Sequence, residues 1–172
     1  MKKVFIFLTI MGLAFSFAPK AAAQDNPFAA GNIMIGAYTG LPTQFSNLRI
    51  PPVGITGEYG IIDFGGGEWG TLAAGGAFDL CMHRDYDSHH HNWRYQASAF
   101  AAYHYFFNES LEVHAKSGLG WFHFNVADYR YNTIGFYDFI GASYFVSPAF
   151  ALTAEVGWSG VAFMHLGANI VF

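Results

Sequence analysis

The stretch Ala162-Phe163-Met164-His165-Leu166-Gly167-Ala168-Asn169-Ile170-Val171-Phe172 decides the fold. Met164, Leu166, Ala168, Ile170 and Phe172 alternate with His165, Gly167 and Asn169, so a strand here carries one apolar and one polar face. About ten residues at this period is the requirement for a strand that crosses a bilayer with lipid on one side and a polar lumen on the other. The run ends on an aromatic residue, where an interfacial girdle falls. Phe172 and Ile170 are therefore expected to face lipid and to carry the terminal assembly signal.

The other end of the chain carries an export pattern. Lys2 and Lys3 precede an apolar run from Val4 to Ala18, and Ala21-Ala22-Ala23 supplies the small residues of a cleavage site. The run is too short for a spanning helix, which needs about 20 apolar residues, and no Cys follows the cleavage site to accept a lipid. Residues 1–23 are expected to be a signal peptide and residues 24–172 a single barrel domain. Without Lys2, Lys3 and Lys20 only five of the eight Lys and Arg residues remain against 12 acidic ones, a balance that argues against a nucleic-acid partner. One cysteine, Cys81, excludes an intramolecular disulfide.

Hydrophobic residues make up 53% of the chain and charged residues 12%, against about a quarter charged in ordinary soluble domains. Beyond the signal no long apolar run occurs, so the apolar residues lie on alternate positions, as in a barrel wall. Eight candidate strands follow, at about 31–39, 53–62, 70–82, 93–106, 111–125, 134–146, 151–158 and 162–172. Short turns at 63–69, 107–110 and 147–149 alternate with longer polar connections at 40–52, 83–92 and 126–133. The last connection, Ser159-Gly160-Val161, is tight. This arrangement predicts an all-β, eight-stranded antiparallel transmembrane up-and-down β-barrel with both termini on the short-turn side. A soluble sandwich or lipocalin-like barrel would turn its apolar stripe inward and suits strands of this length poorly.

Alternation then assigns faces. On the fourth strand Trp93, Tyr95, Ala97, Ala99, Ala101, Tyr103 and Tyr105 point outward. On the fifth, Leu111, Val113, Ala115, Leu119 and Trp121 do so. The inward set comprises Glu58, Asp79, Arg94, His104, Glu112, His114, Lys116, Asp138, Glu155, His165 and Asn169, together with Gln96. An eight-stranded barrel has room inside only for side chains, so these groups must pair with one another. A plug is expected around Lys116, with Glu58, Glu155 or Glu112 as partners and histidines answering the remaining carboxylates.

Ala102-Tyr103-His104-Tyr105-Phe106 with Leu111-Glu112-Val113-His114-Ala115-Lys116-Ser117-Gly118-Leu119-Gly120-Trp121 resembles the paired strands of small Gram-negative outer-membrane β-barrel proteins, the opacity-type and OmpA/OmpX-like superfamily. Phe150 to Trp158 followed by His165 to Phe172 is similar to that group's closing hairpin. The resemblance implies outer-membrane placement, contact with outer-membrane lipid, and barrel-insertion machinery and periplasmic chaperones as assembly partners. It is specific for architecture and weak for activity, since such barrels serve as adhesins, anchors, small channels and lipid enzymes.

Two further signals bear on chemistry. His83, His89, His90 and His91, with Asp85 and Asp87, form the one concentrated metal-ligand signal, although neighbouring imidazoles do not reach one ion without a bent backbone. A lipid A-modifying enzyme would need a Ser, His and acid near the outer rim. Ser117 and His123 face lipid by alternation whereas Glu155 does not, and Gly167 stands where the deacylase pattern after His165 would place Ser. The expected function is a structural, envelope-stabilising or surface-interaction barrel, monomeric, with a closed polar lumen, no cofactor and no catalysis. A narrow channel or small-ligand-binding barrel is the alternative.

Overall fold

The computed structural model describes residues 26–43, 48–84, 91–126 and 129–172. Eight strands, β1 (Ile33–Pro42), β2 (Leu48–Asp63), β3 (Thr71–Arg84), β4 (His91–Phe106), β5 (Leu111–Val126), β6 (Tyr129–Ser147), β7 (Phe150–Trp158) and β8 (Ala162–Val171), pair antiparallel with their sequence neighbours. β8 then pairs with β1, from Met34 opposite Val171 to Pro42 opposite Ala162, and closes the barrel. Just beyond β8, Phe172 exchanges two backbone hydrogen bonds with Ile33 (2.8 and 3.1 Å). Closure leaves no free sheet edge, as a strand-built membrane protein requires.

The expected strands are present, and most run longer, chiefly at the ends that meet the polar connections. β2 begins at Leu48, β3 continues to Arg84, β4 starts at His91 and β6 starts at Tyr129, so the connections expected at 40–52, 83–92 and 126–133 are shorter than their polarity suggested. Polar residues mark where the apolar band ends, but cross-strand hydrogen bonds continue beyond that band. Pro51 and Pro52 fall within the connection expected at 40–52, yet they lie in β2. The strand absorbs them at register shifts between Leu48 and Val53, the kind of position where a missing N–H does no harm.

The wall faces outward with large apolar side chains: Ile134 is 71% exposed, Phe136 67% and Leu119 56%. Exposed aromatics stand at both ends, with Trp69, Phe150 and Phe172 at the mouth that holds the N-terminal segment and Trp93 and Trp158 at the far mouth. Facing strands put buried residues into the lumen, among them Glu58, His104, Glu112, His114 and Lys116. This is the reverse of a soluble core, and it follows from the two-residue period alone.

Candidate functional site

Register builds the centre of the lumen. Moving across the sheet at one level of hydrogen bonding, Thr71 lies opposite His104, His104 opposite His114, His114 opposite Gly141, Gly141 opposite Glu155, and Glu155 opposite His165. Two positions either side of His114 on β5 are Glu112 and Lys116. β2 contributes Glu58, which reaches His104 across the small residues of β3, Ala73 and Gly75. The side chains close into a ring. Glu58 contacts His104 Nε2 (2.9 Å), His104 Nδ1 contacts Glu112 (2.7 Å), Glu112 contacts His114 Nδ1 (3.0 Å), and His114 Nε2 contacts Glu155 (2.9 Å). Lys116 Nζ completes it by bridging Glu155 (2.7 Å) and Glu58 (2.8 Å).

Acid and base alternate around this ring of three carboxylates and three cations. His104 and His114 each have a carboxylate at both nitrogens, the pair of acceptors that an imidazolium with two N–H donors requires. All six side chains are buried. A charge so far from water persists only when paired and hydrogen-bonded, and the ring supplies both conditions from its own side chains. Gly141 makes one link possible. A Cβ there would lie 2.6 Å from His114 Nε2 and 2.7 Å from Glu155 Cγ, in the space the hydrogen bond crosses.

A branch leaves the ring at Glu155. His165 Nδ1 lies 3.1 Å from its other oxygen, while Asp79 is 3.8 Å from His165 Nε2 and accepts a 2.5 Å hydrogen bond from the Tyr38 hydroxyl. The His165 ring is stacked between Tyr38 (4.1 Å) and Phe139 (4.2 Å). Lys116 also lies over the Phe100 ring at 5.5 Å. Aromatic faces thus fill what the charged groups leave.

Among the described residues, segments turn inward at both mouths. At one, the segment before β1 turns in, and fully buried Phe28 packs edge-on against His104 at 4.8 Å. Asp63 fixes this segment by accepting from Ala30 N (3.0 Å), and Thr71 donates to Phe28 O (3.0 Å). At the other mouth the tight connection after β7 folds inward. Gly160 N donates to Gln96 (3.0 Å), while Ser159, Val161 and Ala162 are buried. The sequence marks Val161 only as part of a tight connection and Phe28 not at all, because neither belongs to an alternating run.

The remaining residues divide clearly. Asn169 is buried and donates to Thr153 (2.7 Å), and Arg94 lies over Phe124 at 5.4 Å nearer the far mouth. Asp138 does not join the lumen. Tyr137 and Phe139 take the inward positions of β6, and Asp138 faces outward, where it accepts a 2.7 Å hydrogen bond from Ser117. With Phe136 and Ile140 also apolar, both faces of this stretch are greasy, and the polarity of Asp138 misassigned the phase. His83 is buried beside Cys81 (3.5 Å), and His91 lies opposite Arg84 in the β3–β4 ladder. His89 and His90 lie outside the described residues. Ser117 pairs with Asp138 while His123 binds Asn132 (2.7 Å). Six residues of strand, about 20 Å, separate that serine from that histidine, so they do not form a catalytic pair.

No protein-family model matches the sequence, and no curated protein matches it. Solved structures do match in shape. Ail, the attachment invasion locus protein of Yersinia pestis, solved with the heparin analogue sucrose octasulfate, aligns at 14% identity and TM-score 0.54 over 83% of this chain and 99% of its own. The N-terminal β-barrel domain of Pseudomonas aeruginosa OprF aligns at 18% and 0.53 over 83% and 98%. Neisserial surface protein A aligns at 15% and 0.55 over 81% and 94%. The chain therefore shares the closed eight-stranded barrel fold of these outer-membrane proteins, at identities that carry the fold alone.

Proposed function

We propose that this protein is an outer-membrane β-barrel with an envelope-stabilising or surface-interaction role, and that its lumen does not conduct. The observation that carries the reading is the lumen itself, where a self-neutralised ring of six charged groups lies between two inward-turned segments. A conducting pore of this width would need a water-lined route, whereas these polar groups spend their hydrogen bonds on one another. The exposed apolar band calls for a lipid environment, and the candidate signal peptide and the kinship in fold favour the outer membrane, with the Phe28 mouth in the periplasm. Lipid, the insertion machinery and periplasmic chaperones are the partners such a barrel meets on its way there, and it works as a monomer. Among the described residues the lipid-facing Ser117 and His123 stand apart, so this pair assembles no catalytic site.

Two measurements test this reading. Cell fractionation should recover the chain, shortened at its N-terminus, in the outer membrane as a species whose gel migration changes on boiling. The purified folded barrel should give no unitary current in planar bilayers. Discrete, reproducible steps at low applied voltage would establish the channel alternative and overturn the closed lumen.

A further inference from the structure

We propose that His104, Glu112 and His114, where β4 and β5 meet inside the barrel, form a site for one divalent transition-metal ion of the zinc class. The three residues are buried, and one ligand atom from each lies within 4.8 Å of the others. Both imidazoles turn Nδ1 toward the same carboxylate oxygen, Glu112 Oε1, at 2.7 and 3.0 Å. In a tetrahedral site with bonds of about 2.0–2.2 Å, neighbouring ligand atoms stand roughly 3.3–3.5 Å apart. To admit an ion the His114 contact must open by roughly 0.3–0.5 Å and the His104 contact by roughly 0.6–0.8 Å. Both Glu112 oxygens face His114 Nδ1, at 3.0 and 3.2 Å, so the carboxylate can turn either one to the ion, and a water would take the fourth position.

The groups behind the node are an independent reason. Metal-binding histidines as a rule donate their other N–H to a carboxylate, which fixes the tautomer and aims the ring. Here Glu58 holds Nε2 of His104 and Glu155 holds Nε2 of His114, both at 2.9 Å, leaving each Nδ1 turned toward the shared Glu112 oxygen as the free ligand atom once its proton departs. Lys116 holds both outer carboxylates in place. The exchange also balances, because one divalent ion replaces two ring protons and the lumen's net charge is unchanged. Two imidazoles and one carboxylate suit zinc, copper, nickel or cobalt, and not the hard ions magnesium and calcium. The site is distinct from the histidine-rich stretch around His89 to His91.

The test uses the full barrel, refolded in detergent with Co²⁺ present and separately titrated after refolding. The expected result is one Co²⁺ per chain with the visible absorption of tetrahedral cobalt, displaced by Zn²⁺. The signal should persist when His89, His90 and His91 are all replaced by Ala and vanish in His104→Gln and in His114→Gln. Glu58→Gln should weaken binding by about 10–100-fold. Should the Gln variants fail to fold, X-ray absorption of the loaded wild type decides: a shell with two imidazoles supports the site. A barrel that takes up no ion even when refolded with Co²⁺ overturns the proposal. So does a cobalt signal lost with the triple Ala variant, or a shell without two imidazoles.

Discussion

Polar groups occur on both sides of this barrel's wall, and the two sides handle them differently. Inside, six charged side chains alternate in sign around a closed ring, and every ring nitrogen of His104 and His114 has a carboxylate. Outside, Asp138 stands on the apolar face with the Ser117 hydroxyl, a neutral group, as its hydrogen-bond donor. The inner set is interlocked, so removing one member strands two neighbours. The outer pair is isolated, so removing it strands nothing. Interior charge is part of what specifies the barrel, whereas exterior charge is a small burden it tolerates.

The sharpest way to break this contrast is at Lys116, the one lysine among the described residues. Lys116→Met leaves Glu58 and Glu155 without their shared cation, and loss of one partner from a buried pair typically costs about 3–5 kcal/mol. The urea midpoint of the folded barrel in lipid should fall accordingly, with part of the loss recovered in Lys116→Met/Glu58→Gln. In the wild type, Lys116 should resist bulky amine reagents until the barrel unfolds. An unchanged midpoint would mean that the ring contributes nothing to specifying the barrel.

Next in size is a charge placed deliberately on the outer face. Leu119 is 56% exposed near the middle of β5, and Leu119→Arg should cost about 2–4 kcal/mol if that position lies near the bilayer midplane. The same assay reads it. Near-neutral behaviour would move Leu119 out of the hydrocarbon zone and require the membrane band to be redrawn.

How much of this was legible in advance follows from the period of two. Wherever one face was polar and the other apolar, as at His104, Glu112, His114 and Lys116 or at Leu166, Ile170 and Phe172, alternation alone gave the side of the wall. It failed at 134–140, where Phe136 and Ile140 outside match Tyr137 and Phe139 inside and leave Asp138 the only polar cue. Ring closure was beyond it, because partners such as Glu58 and His104 meet through register across β3, and register is not written in any single strand. Gly141 shows the same limit: in sequence it is one glycine among 20, and only its position between His114 and Glu155 gives it a task.

That task yields a paired test of intermediate size. Gly141→Ala drives a methyl group into the His114–Glu155 contact and should cost about 1–3 kcal/mol, the usual range for overpacking. Gly57 faces outward, and a Cβ there meets nothing within 4 Å, so Gly57→Ala should leave the unfolding midpoint nearly unchanged. Equal effects at the two glycines would show a response to backbone propensity in β2 and β6, with the lumen contact contributing nothing.

The smallest expected effect concerns the outer pair itself. Asp138 lies opposite Ser117 on β5 and Trp158 on β7, with exposed Phe136 and Ile140 along its own strand, so its carboxylate sits among lipid-facing groups. Acidic residues on this face cost less than Arg or Lys, and the penalty fades toward the interfaces. Asp138→Leu should therefore raise stability by up to about 1 kcal/mol. Ser117→Ala in that background should add little, since the hydroxyl has already lost its acceptor. The opposite sign would be the more instructive outcome. If Asp138→Leu lowers the midpoint as far as Lys116→Met does, the outer carboxylate is not a tolerated burden, and this face must meet a polar partner instead of bare lipid.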